Sequence, residues 1–187
     1  MSKVGVFLAA GFEEIEALTV VDLLRRAEIE TDVISIEEEL LVTGSHRISV
    51  KADMRLWEAD FDQMDMLVLP GGMPGTKNLE ACEPLMKQVE LFHQQKKYIS
   101  AICAAPRILG ERGMLQDRRA CSFPDAESYL SGAIVTKQEV EVSEHITTAR
   151  GMGCSIPFAL AIVSRLQGEA AAQTLAQKIV FRQKLPS

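Results

Sequence analysis

The chain has no CxxC pair. Its four cysteines, Cys82, Cys103, Cys121 and Cys154, stand far apart in sequence. That spacing offers neither a zinc ribbon nor a disulfide framework, so a reducing cytoplasm is the expected setting. The three histidines, His46, His93 and His145, are scattered without ligand spacing, and no metal is expected. Basic runs are absent and the net charge is −6, which argues against nucleic acid or an anionic membrane as partner. No segment reaches the ~20 apolar residues of a membrane span. Met1-Ser2-Lys3 before Val4–Ala10 imitates a short signal peptide. Its apolar run is short, its positive charge single, and acidic residues follow at once, so a first buried strand is the better reading. Phosphate loops are missing too. Pro70-Gly71-Gly72-Met73-Pro74-Gly75 lacks the Walker spacing, and Gly151-Met152-Gly153 lacks the third glycine of a dinucleotide fingerprint. No nucleotide, flavin or other cofactor is expected. Linkers, repeats and low-complexity tracts are likewise lacking, and 187 residues suit a single domain, 1–187.

What the chain does have is alternation. Short apolar runs at 4–9, 31–36, 66–69 and 98–102 read as strands. Helical patterns lie between and after them, at 13–27, 79–95, 106–112, 155–166 and 169–181. Residues 40–56 read as short strands or a hairpin, and 140–142 and 146–149 as two further strands. Apolar strands alternating with helices predict an α/β fold with a mostly parallel sheet covered on both faces. Ligands of such sheets bind at the carboxyl ends of the strands, near a topological switch point. Three loops meet that edge: Gly11-Phe12-Glu13-Glu14, Pro70–Gly75 and Cys103-Ala104-Ala105.

Cys103 is the most informative residue. It ends the run Tyr98–Ile102 and precedes Ala104-Ala105-Pro106, where proline suits a first helical turn. This is the pattern of a nucleophile elbow, with small neighbours that let the backbone bend. A helix start favours thiolate over thiol. The plain alternative is a buried structural cysteine.

Glu16 shares a helical face with Val20, Leu23 and Ala27, so it is expected to point inward at the top of the sheet. Burial would raise its pKa, and a protonated Glu16 would donate a hydrogen bond to the Cys103 sulfur. The alternative is that it joins Glu13 and Glu14 in complementing the helix dipole, a role that suits those two. Backbone N–H groups of Gly72 and Ala104 are candidates for an oxyanion hole. Cys82, Cys121 and Cys154 read as structural, although Cys154 opens a helix. Asp22 with Arg25 and Arg26 reads as a surface or interface cluster. His93 reads as a solvated helix residue. His145 precedes a late strand and is the histidine to consider for a Cys–His dyad.

Several segments together resemble the ThiJ/PfpI superfamily, within it the branch of the human Parkinson-disease protein deglycase and bacterial YajL. They are Gly11–Glu16, Val20–Arg26, Leu69–Gly72, Ala101–Pro106, Thr148–Gly151 and Phe158–Val163, in family order over nearly the whole chain. The resemblance implies a flavodoxin-like three-layer α/β/α sandwich, usually a homodimer. It implies that Cys103 is the reactive, oxidation-prone cysteine, Glu16 its protonated partner, and Gly72 and Ala104 the donors of an anion pocket. Some members carry His-Pro after the elbow helix. Here the stretch reads Ser122-Phe123-Pro124, which weakens any histidine-assisted mechanism. Met73 and Met152 also differ from residues common in the human protein, so the substrate pocket is expected to differ.

The function implied is a cofactor-independent cysteine enzyme acting on a small reactive carbonyl or a glycated adduct, of glyoxalase III or deglycase type, with a stress-protective role. The thiazole-biosynthesis label of many bacterial members finds no support in these residues. The alternative is a redox-sensing or chaperone-like protein that signals through Cys103 oxidation without turnover. An amidotransferase- or protease-like hydrolase would need a histidine beside Cys103.

Overall fold

Met66-Leu67-Val68-Leu69 has no polar side, so as a strand it belongs where both faces are covered. In the computed structural model, which describes residues 2–181, all four of its residues are buried. In chain order, β1 (Lys3–Leu8), α1 (Glu14–Arg26) and β2 (Glu30–Ser35) come first. β3 (Leu41–Thr43), β4 (Ser49–Lys51) and β5 (Met54–Arg55) follow. β6 (Met66–Leu69), α2 (Gly75–Ala81), α3 (Glu83–Gln94), β7 (Tyr98–Ile102) and α4 (Pro106–Glu111) make the middle. The last third holds β8 (Arg119–Ala120), β9 (Ile134–Val135), β10 (Val140–Ser143), β11 (Ile146–Ala149), α5 (Ser155–Gln167) and α6 (Glu169–Lys178).

The seven-stranded sheet runs β10-β11-β7-β6-β1-β2-β5. Every pairing in it is parallel except β10 with β11. The chain builds outward from β1 through β2 and β5, then returns to lay β6, β7 and β11 on the other side. The direction reverses between β1 and β6, so a crevice opens at the carboxyl ends of those strands. Alternation along each strand feeds two cores. Val4, Val6, Leu8, Met66 and Val68 pack beneath α1, α5 and α6, and Phe7, Leu67 and Leu69 face Leu79 of α2, Val89 of α3 and Ile108 of α4. This is the flavodoxin-like sandwich that the resemblance implies.

Three local readings change. The stretch 79–95 is two helices, because Pro84 has no N–H to give the Glu80 carbonyl and takes the first turn of α3 instead. Cys82 therefore lies at a helix junction, not within a helix. Arg26 does pair with Asp22, at 2.7 Å, but Arg25 turns away to the Thr31 carbonyl and Asp53. The two-residue strands β8 and β9 pair in parallel; runs that short leave no periodic signal.

His145 sits just before β11, with its carbonyl accepting from Ile99 N–H, whereas Cys103 N–H donates to Ala149 at the far end of the same strand pair. Four residues of strand, ~13 Å at 3.3 Å each, separate the two levels. His145 is thus at the opposite edge of the sheet from the thiol, and no Cys–His dyad forms with it. It is buried, and its Nε2 lies 3.0 Å from Nδ1 of His93, which is only half exposed and not simply solvated. One ring must donate and the other accept, so both cannot be cationic in this geometry.

Burial holds both imidazoles below the ordinary 6.5; the Arg118 charge adds to this for each, and for His145 so does His93, while Glu144 opposes. The unfolded chain therefore binds more protons below pH 6.5. The contribution to stability is full above 6.5 and is lost as the pH falls. Urea denaturation at pH 7.5 and 5.5 is expected to show a smaller acid loss in His93→Gln than in the wild type. An identical loss in both would show that the pair does not titrate with folding.

Candidate active site

Cys103 follows β7 directly and adopts φ of +63°, a left-handed conformation that a non-glycine residue holds only when its surroundings impose it. They do so from two sides. Its N–H donates to the Ala149 carbonyl at 2.9 Å, and its carbonyl accepts from Phe123 N–H at 2.8 Å. Ala104 and Ala105 are buried behind it, and Pro106 opens α4 as the sequence predicts. The elbow is therefore built, and the backbone N–H groups of Ala104 and Gly72 both act on its sulfur.

Glu16 is 1% exposed, one turn into α1. The inward reading holds. Its Oε2 accepts from Gly71 N–H at 2.9 Å. Its Oε1 is buried without a hydrogen-bond partner of good geometry, and the Cys103 thiol is the side chain that acts on the carboxyl. Glu13 N-caps α1 by accepting from Glu16 N–H at 2.7 Å, while its own N–H donates to the Gly71 carbonyl at 2.9 Å. Gly71 thus ties the β6 loop to the start of the helix through both its backbone N–H and its carbonyl. A Cβ built on Gly71 would lie 2.6 Å from Cys103 Cβ and 2.6 Å from Glu16 Oε2. Only glycine fits between the two. Gly72 takes φ of +89°, and a side chain there would strike the Glu13 and Gly11 backbone.

Burial dominates the ionisation of both groups. It lifts Glu16 to about 7, against the hydrogen bonds from Cys103 and Gly71 N–H. It lifts Cys103 to about 12, helped by the charge of Glu16 and its hydrogen bond and opposed by Ala104 and Gly72 N–H. The expectation that the helix start would by itself favour thiolate is therefore not met: desolvation and the neighbouring carboxylate outweigh the backbone amides. Two adjacent negative charges resist forming together, so the pair carries one proton across the range between those values.

The structure also moves Glu14. It stands in the first turn of α1, where a carboxylate complements the dipole, but it is only 1% exposed. Its Oε1 accepts from His46 N–H at 2.6 Å, and its Oε2 lies 2.9 Å from His46 Nδ1 and 3.3 Å from Ser45 Oγ. Gly44 lies against it, with no room for a Cβ. The tip of the β3–β4 hairpin is thereby clamped onto the first turn of α1. Glu13, Glu14 and His46 each offer a ligand atom within 4.8 Å of the others, but the Glu14 oxygens are already occupied by these donors. A signal was present in the sequence: Glu14 is spaced three, seven and ten residues from Ala17, Val21 and Leu24, all buried. Cys121 is buried with Sγ 3.4 Å from the Thr148 carbonyl, and burial pushes its thiol up to about 11. Burial likewise raises Cys82 and Cys154, so the helix start at Cys154 does not activate it.

Gly71→Ala tests how strictly the elbow and Glu16 are spaced. The added methyl group is expected to cost about 1–3 kcal/mol in urea denaturation. It should also move the pH profile of Cys103 alkylation, because the pair must separate. Unchanged stability with an unchanged profile would show that the loop yields without cost.

With this geometry in hand, the chain matches the DJ-1/PfpI family over residues 2–165. It is 34% identical over 181 residues to the Parkinson disease protein 7 homolog of Danio rerio, covering 94% of this chain and 95% of that one. It is 32% identical over 182 residues to Protein DJ-1 homolog B of Arabidopsis thaliana, covering 96% of this chain. It spans less than half the length of the two Arabidopsis relatives, 42% and 45%. Among solved structures, a DJ-1 of Toxoplasma gondii in an oxidized form superposes with a TM-score of 0.93 at 32% identity, over 97% of this chain and 99% of that one. A cysteine-to-alanine mutant of a DJ-1 superfamily protein from Salmonella typhimurium gives 0.92 at 32% identity, over 97% and 100%. The elbow at Cys103, the carboxyl beside it and these matches agree: the chain belongs to the DJ-1/PfpI family.

Proposed function

We propose that this protein is a cofactor-independent cysteine enzyme for reactive carbonyls, of glyoxalase III or deglycase type, with a stress-protective role. The observation that carries the reading is the buried Glu16 carboxyl set against the Cys103 elbow with only Gly71 between them, and the Gly72 and Ala104 N–H groups at the sulfur. The reactive form is the minor one-proton tautomer, thiolate beside carboxylic acid, in which Glu16 donates towards sulfur. Thiolate attack on the aldehyde of methylglyoxal gives a hemithioacetal. The Gly72 and Ala104 N–H groups are the donors for the oxyanion that develops on the aldehyde oxygen. Glu16 gives its proton to that oxyanion, and as the carboxylate then takes the C1 proton and returns it at C2. The resulting thioester is cleaved by water, so methylglyoxal and water become lactate. The same reading carries a homodimer in a reducing cytoplasm; exposed Ile15 and Leu18 on α1 and Ile156 on α5 supply an apolar face for it.

A second reading has its own support. The partnerless Glu16 Oε1 suits an oxygen added to sulfur, and the relative from Toxoplasma gondii was solved oxidized. Peroxide would convert Cys103 to sulfenic and then sulfinic acid, with Glu16 hydrogen-bonded to the product.

Lactate formed from methylglyoxal in thiol-free buffer separates the two. Activity is expected in the wild type, none in Cys103→Ser, and a fall of about 10²–10⁴ in Glu16→Gln, whose amide cannot exchange a proton. Cys103 alkylation should persist in Glu16→Gln. A reduced, folded wild type that forms no lactate would overturn the first reading and favour oxidation of Cys103 as the working chemistry.

A further inference from the structure

Three large apolar side chains stand exposed around the elbow, and neither reading above uses them. Met73 directly follows Gly72, whose N–H acts on the sulfur, and is 46% exposed. Phe123, 45% exposed, gives its N–H to the Cys103 carbonyl at 2.8 Å. Met152 is 54% exposed and lies three residues beyond Ala149, the residue whose carbonyl receives the Cys103 N–H. The Phe123 ring reaches across to this last loop, since a Cβ on Gly151 would meet its Cδ2 at 3.5 Å. The three therefore come from three different loops that converge on Cys103.

The same mouth offers little to an anionic group. Arg150, the basic side chain next to Gly151, is committed: it pairs with Glu127 at 3.3 Å and donates to the Ser122 carbonyl. Among the described residues, no Arg, Lys or His is one of the groups that shift Cys103 or Glu16; the charges acting there are the carboxylates of Glu13 and Glu16. Large apolar groups normally leave water when something covers them, and thioethers adapt to varied shapes. What covers these must present a carbon skeleton while offering its reactive centre to sulfur.

We propose that Met73, Phe123 and Met152 form an apolar collar that seats an alkyl or aryl substituent of the carbonyl compound attacked by Cys103, favouring such substrates over small or anionic ones. The proposal rests on the carbonyl-enzyme reading for the identity of the electrophile. The collar itself is testable without turnover. Methionine supplies an unbranched filler on two sides, and the phenyl ring supplies a flat wall on the third. A site of this kind discriminates by the apolar area that the substituent removes from water.

The test uses two reagents with one warhead, iodoacetamide and N-benzyl iodoacetamide. Alkylation rates at Cys103 are measured by peptide mass spectrometry, each divided by the rate with N-acetylcysteine. The benzyl reagent is expected to be favoured about tenfold in the wild type. That preference should shrink towards unity in Met73→Gln, Phe123→Ser and Met152→Gln, and survive in Phe123→Leu, which keeps the wall apolar. A wild-type ratio near one, or a ratio untouched by the three polar variants, overturns the collar. Lactate-type product from methylglyoxal and hexylglyoxal is followed in parallel. Absence of turnover with both, beside an intact benzyl preference, would defeat the carbonyl-enzyme reading and leave the collar standing.

Discussion

The backbone of Gly71 is the constraint on which the site depends. Its N–H holds Glu16 Oε2, its carbonyl holds Glu13 N–H, and its Cα fills the gap between Glu16 and Cys103. Each contact alone is an ordinary hydrogen bond or close approach. Together they join the end of β6, the start of α1 and the elbow after β7 into one rigid triangle. The parallel sheet makes this possible, because it brings three strand ends to a common edge on either side of the point where strand order reverses. The left-handed backbone at Cys103 is the cost of that closeness, and the hydrogen bonds to Ala149 and Phe123 offset it.

Two opposing tendencies meet at the sulfur. The elbow directs backbone N–H groups at it, which favours negative charge, while the apolar layers around it and the Glu16 carboxylate disfavour that charge. Burial and the carboxylate win: the thiol stands at about 12, above Glu16, which burial has itself lifted to about 7. Between those values the sulfur keeps the pair's one proton and Glu16 carries the charge.

Much of this was legible in the residues. Met66–Leu69 and Tyr98–Ile102 match their strands to the residue, because runs buried on two faces have sharp ends. Glu16 was legible because its spacing to Val20 and Leu23 follows an α-helix. The cysteine elbow was legible because small residues and a proline follow it. What escaped was non-local or depended on burial. Glu14 is saturated by residues 31 and 32 positions away, a partnership no helical wheel reveals. His93 meets His145 only once α3 packs against the sheet. The direction of the Cys103 shift depends on how much solvent the folded site excludes, and a dipole argument made on one turn does not contain that quantity. The break at Cys82 turned on one missing N–H, at Pro84.

The clamp on Glu14 has a consequence for how this surface can vary. Hairpin tips ordinarily tolerate insertion and exchange, because their backbone faces water and owes nothing to the rest of the fold. The tip at Gly44-Ser45-His46 is different: it supplies the donors that keep a buried carboxylate satisfied, and its glycine lies against that carboxylate. A loop graft that changed its length by one residue would strand a charge at the entrance to α1, next to the cap that orders Glu16. The hairpin is thus a keyed part of the scaffold, and swapping it between relatives would carry Glu14 along as part of the same cassette.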